Sequence, residues 1–214
     1  MVKIQVALDF IDKQAALNIA SKIFDIKEII LEAGTPLIKS VGINILKELK
    51  ERFPERPLLA DMKTMDVGDI EAELAFINGA DYTTVLGVAS RETIRKVIKT
   101  ARKYNAKAVI DLIGINDIKY FLAKIEDLHP DVLCIHRGID VEVGGEYKTL
   151  HEICNVIKFL KENTGYEIAV AGGITDRTAR MYVECGADIL VIGRYITRSS
   201  NPREAVNRIL ENIK

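Results

Sequence analysis

Eight short apolar runs, each followed by an amphipathic stretch, recur from one end of this 214-residue chain to the other. The runs lie near Ile4–Leu8, Glu28–Glu32, Leu58–Asp61, Tyr82–Leu86, Ala108–Leu112, Val132–His136, Ile168–Ala171 and Ile189–Ile192. They are continuously apolar rather than alternating, which suits parallel strands covered on both faces. The stretches between them carry helix-start signals: Asp12 before KQAALNIASKI, Ser90 before RETIRKVIKTA, and Asn201-Pro202 with Glu204 placed for a capping box. Gly79, Gly165 and Gly186 fall near helix ends, where a left-handed residue is often needed. Eight strand–helix steps predict an α/β chain folded as one (β/α)8 TIM barrel over residues 1–214, with an open doubly wound sheet as the rival.

Hydrophobic residues make up 48%, enough to fill such a core. A formal net charge of −1 gives no global field to attract nucleic acid or an anionic membrane, so no nucleic-acid or membrane partner is expected. No apolar run approaches the roughly 20 residues that span a bilayer, and the opening MVKIQVALDF enters a strand pattern directly rather than a signal peptide. Cys134, Cys154 and Cys185 are odd in number and show no C-x-x-C spacing. The expectation is therefore no disulfide, no zinc site, and a reducing cytoplasm.

In a barrel of this kind the chemistry sits at the carboxyl ends of the strands. Asp9 follows the first run, Glu32 the second, Asp61 and Lys63 the third, Asp111 the fifth and His136 the sixth; Gly172-Gly173 follow the seventh and Gly193-Arg194 the eighth. A single strand-end charge is often only a helix cap. Seven of eight ends carrying such residues implies a binding site, because unpaired buried charge is costly. The segments after the last two strands form the expected phosphate pocket. Paired glycines let backbone N–H groups approach phosphate oxygens, and Arg194 offers bidentate contacts.

Asp61-Met62-Lys63-Thr64-Met65-Asp66 is the most specific local signal. Alternate residues of a strand end point the same way, so Asp61 and Lys63 are expected to share the mouth. A lysine held between carboxylates keeps its charge and can stabilise an oxyanion. Glu32 and Asp61 together offer hard oxygen ligands that favour Mg2+. His129 and His151 read as surface residues, whereas His136 ends an inward strand beside the acids and suits proton transfer.

On these residues the chain resembles the orotidine 5′-monophosphate decarboxylase superfamily over its whole length: Asp9, the D-x-K-x-x-D motif of Asp61, Lys63 and Asp66, and the AGG and GR phosphate segments. Glu32 in LEAGTP, where orotidylate decarboxylases carry Lys, is similar to the metal-dependent branch. That resemblance implies Mg2+ held by Glu32 and Asp61, and enediolate chemistry on a sugar phosphate served by Lys63, His136, Asp66 and Asp111. It implies substrate contacts from Asp9, Ala171, Gly172, Gly173, Gly193 and Arg194. It also implies a cytoplasmic homodimer in which Asp66 enters the partner's site.

Members of the branch either condense D-ribulose 5-phosphate with formaldehyde or decarboxylate 3-keto-L-gulonate 6-phosphate. The decarboxylating members carry Glu, Arg and Thr where this chain has Asp111, Ile139 and Ala171, so all three positions side with the aldol-forming members. Arg137, directly after His136, and the GRYI segment are more like the decarboxylating ones. A non-catalytic sugar-phosphate sensor on the same barrel would need the phosphate pocket but not Glu32, Asp61, Lys63 and His136 together.

Overall fold

Strand β1 (Lys3–Leu8) pairs in parallel with both β2 (Ile29–Ala33) and β8 (Ile189–Ile192), which closes the sheet and excludes the open doubly wound alternative. The computed structural model describes residues 1–140 and 149–214. Between β2 and β8 the remaining strands follow in chain order: β3 (Leu58–Thr64), β4 (Tyr82–Leu86), β5 (Lys107–Asp111), β6 (Val132–His136) and β7 (Glu167–Ala171). The outer layer holds α1 (Lys13–Ile23), α2 (Thr35–Val41), α3 (Asn44–Arg52), α4 (Gly68–Ile77), α5 (Arg91–Lys103) and α6 (Ile118–Ile125). It continues with α7 (Leu150–Asn163), α8 (Asp176–Glu184), α9 (Arg194–Thr197) and α10 (Pro202–Asn212). Among the described residues no helix is long and apolar enough to cross a membrane.

The strands are apolar on both faces because both faces are covered. One face packs on the helices, burying residues such as Ile4, Leu31, Ile110 and Ile168 completely or nearly so. The other fills the barrel with a smaller cluster that includes Ile30, Leu59, Val109, Val132 and Ile189. Each fully buried Ile or Leu stabilises by ~1.5–3 kcal/mol, so both layers contribute strongly to folding.

Local signals set the helix starts. The Asp12 carboxylate accepts from the Ala15 amide at 2.7 Å and the Ser90 hydroxyl from the Thr93 amide at 3.0 Å. The capping box expected at α10 is half made. Asn201 accepts from the Glu204 amide at 3.3 Å, but the Glu204 side chain turns to Arg208 one helical turn on. Gly79 and Gly186 do take left-handed conformations (φ 94° and 109°), whereas Gly165 does not.

A clasp recurs at the foot of every second strand from β4 onward. Asp81, Asp131 and Asp188 directly precede β4, β6 and β8. Their carboxylates accept from the backbone amides of Leu58, Ala108 and Ile168 on the preceding strands at 2.8, 2.9 and 2.8 Å. Each Asp amide donates back to the carbonyl of that same residue, and each Asp carbonyl accepts from the strand on its other side, at Lys107, Glu167 and Lys3. The residue two before each Asp is left-handed: Gly79, His129 (φ 51°) and Gly186. One residue, through its carboxylate and its backbone, thus ties three strands, satisfying backbone groups where the ladder frays.

The cysteines overturn one sequence expectation. Cys154 in α7 and Cys185 at the end of α8 form a disulfide, with Cα atoms 5.4 Å apart. An odd count requires only that one thiol stay free, and that thiol is the buried Cys134 of β6. The pairing follows from how neighbouring outer helices pack, which no Cys spacing records.

Candidate active site

The carboxyl ends of the strands open into a cavity of about 1220 Å3. It is lined by Asp9, Glu32, Asp61, Lys63, Asp111, His136, Ala171, Gly172, Gly173, Gly193 and Arg194, so eleven of the twelve residues singled out above converge there. Asp66 is the exception: it is exposed in the turn before α4 and does not line the cavity of its own chain.

Asp61 and Lys63 meet by a route different from simple strand alternation. The β3–β4 register shifts between Ala60 and Thr64, leaving Asp61-Met62-Lys63 as a bulge facing Thr84. Lys63 adopts φ 46°, a left-handed conformation uncommon for a side-chain-bearing residue and of order 1–3 kcal/mol unfavourable. Thr84 stitches the bulge: its hydroxyl accepts from the Lys63 amide at 2.8 Å and donates to Asp61 Oδ1 at 2.9 Å. Lys63 Nζ then lies 2.6 Å from Asp61 Oδ2 and 3.3 Å from Asp111 Oδ2. Burial opposes the charge on Lys63, but the Asp61 and Asp111 carboxylates outweigh it and raise its pKa, so the ammonium is permanent.

Asp111, buried at the end of β5, holds His136. Its Oδ2 is 2.8 Å from His136 Nδ1, and its Oδ1 accepts from the Ile113 amide at 2.9 Å. Burial would raise the Asp111 pKa, yet the hydrogen bond and charge of His136, with Lys63, hold it below the ordinary value. An ionised Asp111 places the proton on Nδ1 and leaves Nε2 as the atom able to exchange protons. Cys134 lies beneath, its thiol pKa pushed well up by burial and by Asp111 and Glu32, so it remains an inert thiol.

Glu32 is 5% exposed. Burial first, then the nearby Asp61 and Asp9, push its pKa well above the ordinary value. Among described residues its carboxylate accepts one hydrogen bond, from the neutral Gln5 amide at 2.7 Å. A buried carboxylate without a cationic partner, facing two further acids, is the donor set expected of a hard divalent cation. Among the described residues no group of three His, Cys, Asp or Glu is arranged as a metal cage. Glu32 and Asp61 alone fit Mg2+, which takes one or two carboxylates and fills its shell with water and substrate oxygens. Asp9 stands at the rim with its carboxylate against Gly34, where a Cβ would lie 2.1 Å from Asp9 Oδ1 and would push that carboxylate aside. Burial and Asp61 raise the Asp9 pKa.

The glycine-rich loops follow β7 and β8, beside His136 on one side and Asp9 on the other. Gly172 and Gly173 are both left-handed (φ 109° and 63°), and a Cβ on Gly172 would lie 2.5 Å from the Arg137 carbonyl oxygen. Arg137 braces this loop, its guanidinium donating to the Gly172 carbonyl at 3.2 Å. Arg194 begins α9 at the cavity edge, and Arg198, which the sequence reading passed over, lines the same edge. Gln5, Thr35 and Thr84 were also missed. The Thr35 hydroxyl reaches Asp61 Oδ2 at 2.7 Å. Gln5 is the one with a legible signal, because it shares the inward parity of Ala7 and Asp9 on β1.

With this geometry in hand, comparison with known proteins is decisive at the family level. The "Orotidine 5'-phosphate decarboxylase / HUMPS family" matches residues 2–209. The chain belongs to this family. As a member of the orotidine 5′-phosphate decarboxylase / HUMPS family, it is 38% identical over 209 residues to a 3-hexulose-6-phosphate synthase of Methylomonas aminofaciens, covering 98% of each chain. It superposes on a 3-hexulose-6-phosphate synthase from Salmonella typhimurium with a TM-score of 0.91 at 33% identity, covering 99% and 98% of the two chains. A 3-keto-L-gulonate-6-phosphate decarboxylase from Vibrio cholerae gives a TM-score of 0.87 at 26% identity over 99% and 97%. The chain spans about half the length of the bifunctional Fae/Hps enzymes that it also matches.

Proposed function

We propose that this chain catalyses the reversible, Mg2+-dependent aldol condensation of D-ribulose 5-phosphate with formaldehyde, giving D-arabino-hex-3-ulose 6-phosphate. The observation that carries the reading is the continuous Lys63–Asp111–His136 contact, held in one cavity with the glycine-rich loops that follow β7 and β8. The phosphate sits on the amides around Gly172, Gly173 and Gly193, with Arg194 closing on it. That anchor presents C1 of the sugar to His136. His136 Nε2 takes the C1 proton, and Asp111 stabilises the imidazolium so formed. The fixed charge of Lys63 stands where negative charge develops on the 1,2-enediolate oxygens. Glu32 and Asp61 would hold Mg2+, which would supply Lewis acidity to the enediolate. The enediolate carbon then attacks formaldehyde; its C=O π bond opens, and the new alkoxide takes the proton back from His136, which returns to the neutral imidazole.

Three positions favour condensation over decarboxylation. Ile139 and Ala171 line the cavity without donor groups, and Asp111 is a methylene shorter than the glutamate of decarboxylating relatives. Arg137, the residue most like a decarboxylase, is occupied with the Gly172 carbonyl. The 38% identity to a synthase over nearly the full length supports the same choice. A cytoplasmic setting is also part of the proposal, and it rests on the phosphorylated substrate. The disulfide removes the cysteine argument for it, although intracellular disulfides are common in hyperthermophiles.

A homodimer completes the reading. Ile70, Leu74 and Ile77 form an exposed stripe on α4, and Met65 and Val67 extend it around Asp66. Ile70 and Ile77 are 57% and 61% exposed, an apolar surface that a second copy would cover while receiving Asp66. The test is formaldehyde consumption with ribulose 5-phosphate, with and without Mg2+, beside CO2 release from 3-keto-L-gulonate 6-phosphate. Faster decarboxylation than condensation would overturn the assignment.

A further inference from the structure

Gln5 is a polar side chain in the middle of an apolar barrel strand, only 6% exposed. On β1 it pairs with Ile30 of β2 and Val191 of β8, in the floor of the cavity that it helps to line. Glu32 lies two residues further along β2, opposite the small Ala7, so Gln5 meets it diagonally from beneath. Gln5 Nε2 donates to Glu32 Oε2 at 2.7 Å.

A buried amide without a partner is unfavourable, and so is a buried carboxylate oxygen. An aliphatic residue at position 5 would leave Glu32 to choose among rotamers. A lysine there would hold it equally well but would neutralise it, as Lys63 does for one oxygen of Asp61. A neutral donor alone fixes the orientation of the carboxylate and leaves its charge for a cation. Groups that orient a metal ligand in this way set affinity although they never touch the ion.

We propose that Gln5 is a positioning residue that orients Glu32 for the divalent cation and so sets metal affinity. The inference rests on the reading of Glu32 as a metal ligand given above. The role proposed for Gln5 is exerted through Glu32 Oε2 and not by contact with the substrate or the cation.

The test is Mn2+ binding to the full chain, followed by the electron paramagnetic resonance signal of free Mn2+. Gln5→Met keeps the length of the side chain and removes the donor. It is expected to weaken Mn2+ binding about 10–100-fold, while the metal-free protein, short of one buried hydrogen bond, melts only roughly 2–4 °C lower. At saturating metal the KM for the sugar phosphate should equal that of the wild type, because the Gln5 side chain bonds to Glu32 and not to the glycine-rich loops. Should Gln5→Met fail to fold, Gln5→Asn, which falls one methylene short of Glu32, takes its place with the same expected outcome. Unchanged Mn2+ affinity in a folded variant overturns the proposal. So does a loss of affinity that comes with a larger drop in melting temperature and higher KM together, or failure of both variants to fold, because each marks a packing role. Glu32→Gln separates the two claims. If it binds Mn2+ like the wild type, the metal reading itself fails. If it loses binding while Gln5→Met does not, only the role of Gln5 fails.

Discussion

Breaking the Cys154–Cys185 bond should lower stability by an amount set by the loop it closes. The cysteines are 31 residues apart, and the segment between them contains most of α7, all of β7 and α8. The chain-entropy relation for a loop of that length gives about 3.7 kcal/mol at 25 °C. For a chain of this size each kcal/mol shifts the melting temperature by roughly 2–4 °C, so the loss should be roughly 7–15 °C. The assay is thermal and urea unfolding of the oxidised wild type, of the same protein with reductant, and of Cys154→Ala/Cys185→Ala. The effect acts on the unfolded chain, so the urea m-value should rise when the cross-link is absent, because a freer chain exposes more surface. Neither cysteine lines the cavity, so kcat and KM at 25 °C should not move. A melting temperature within 2 °C of the oxidised protein after verified reduction, or three free thiols in the purified unreduced chain, would refute the reasoning.

Burial raises the Glu32 pKa above 4.5, so the folded metal-free chain binds that proton more tightly than the unfolded one. Stability therefore falls as pH rises from about 4.5 through the raised pKa, and the deficit is complete above it. With chelator present, Glu32→Gln should melt above the wild type near pH 8, a gain that shrinks towards pH 4; equal melting at both would contradict this. Arg194→Ala should raise the KM for the sugar phosphate on the order of 10–100-fold, as expected for a lost charge-assisted contact. An unchanged KM moves the phosphate elsewhere. Ile77→Asp should yield monomers by sedimentation with little activity, and a fully active monomer would rule out the contribution of Asp66 across an interface.

The strand pattern was legible because a parallel barrel buries both faces of every strand, so each strand reads as a largely apolar run without alternation. Strands β4, β6 and β8 fall where those runs fall. The polar strand ends were legible for the complementary reason, that charge at the end of a buried run has to be used. What stayed hidden depends on pairing between distant elements. The bulge at Asp61–Lys63 exists only relative to the register of β4, and Thr84 counts only because it faces that bulge. Gln5 looked like one polar residue among apolar ones until Glu32 was seen above it. The disulfide depends on the packing of α7 beside α8. Gly165 shows the converse: a glycine near a helix end whose backbone angle is ordinary.

The clasps of Asp81, Asp131 and Asp188 repeat with a period of two strands, although the visible unit of the barrel is one strand and one helix. The natural segment for exchange between related barrels is therefore a pair of steps. A crossover point just after an Asp-led strand keeps each carboxylate with the preceding strand that it ties, so that of the clasp's own bonds only the one to the Asp carbonyl spans the join. A crossover one step earlier separates the carboxylate from its amide. Chimaeras of the first kind should assemble more readily than those of the second. Growth of such a barrel by duplication of a two-strand fragment would leave the same period behind.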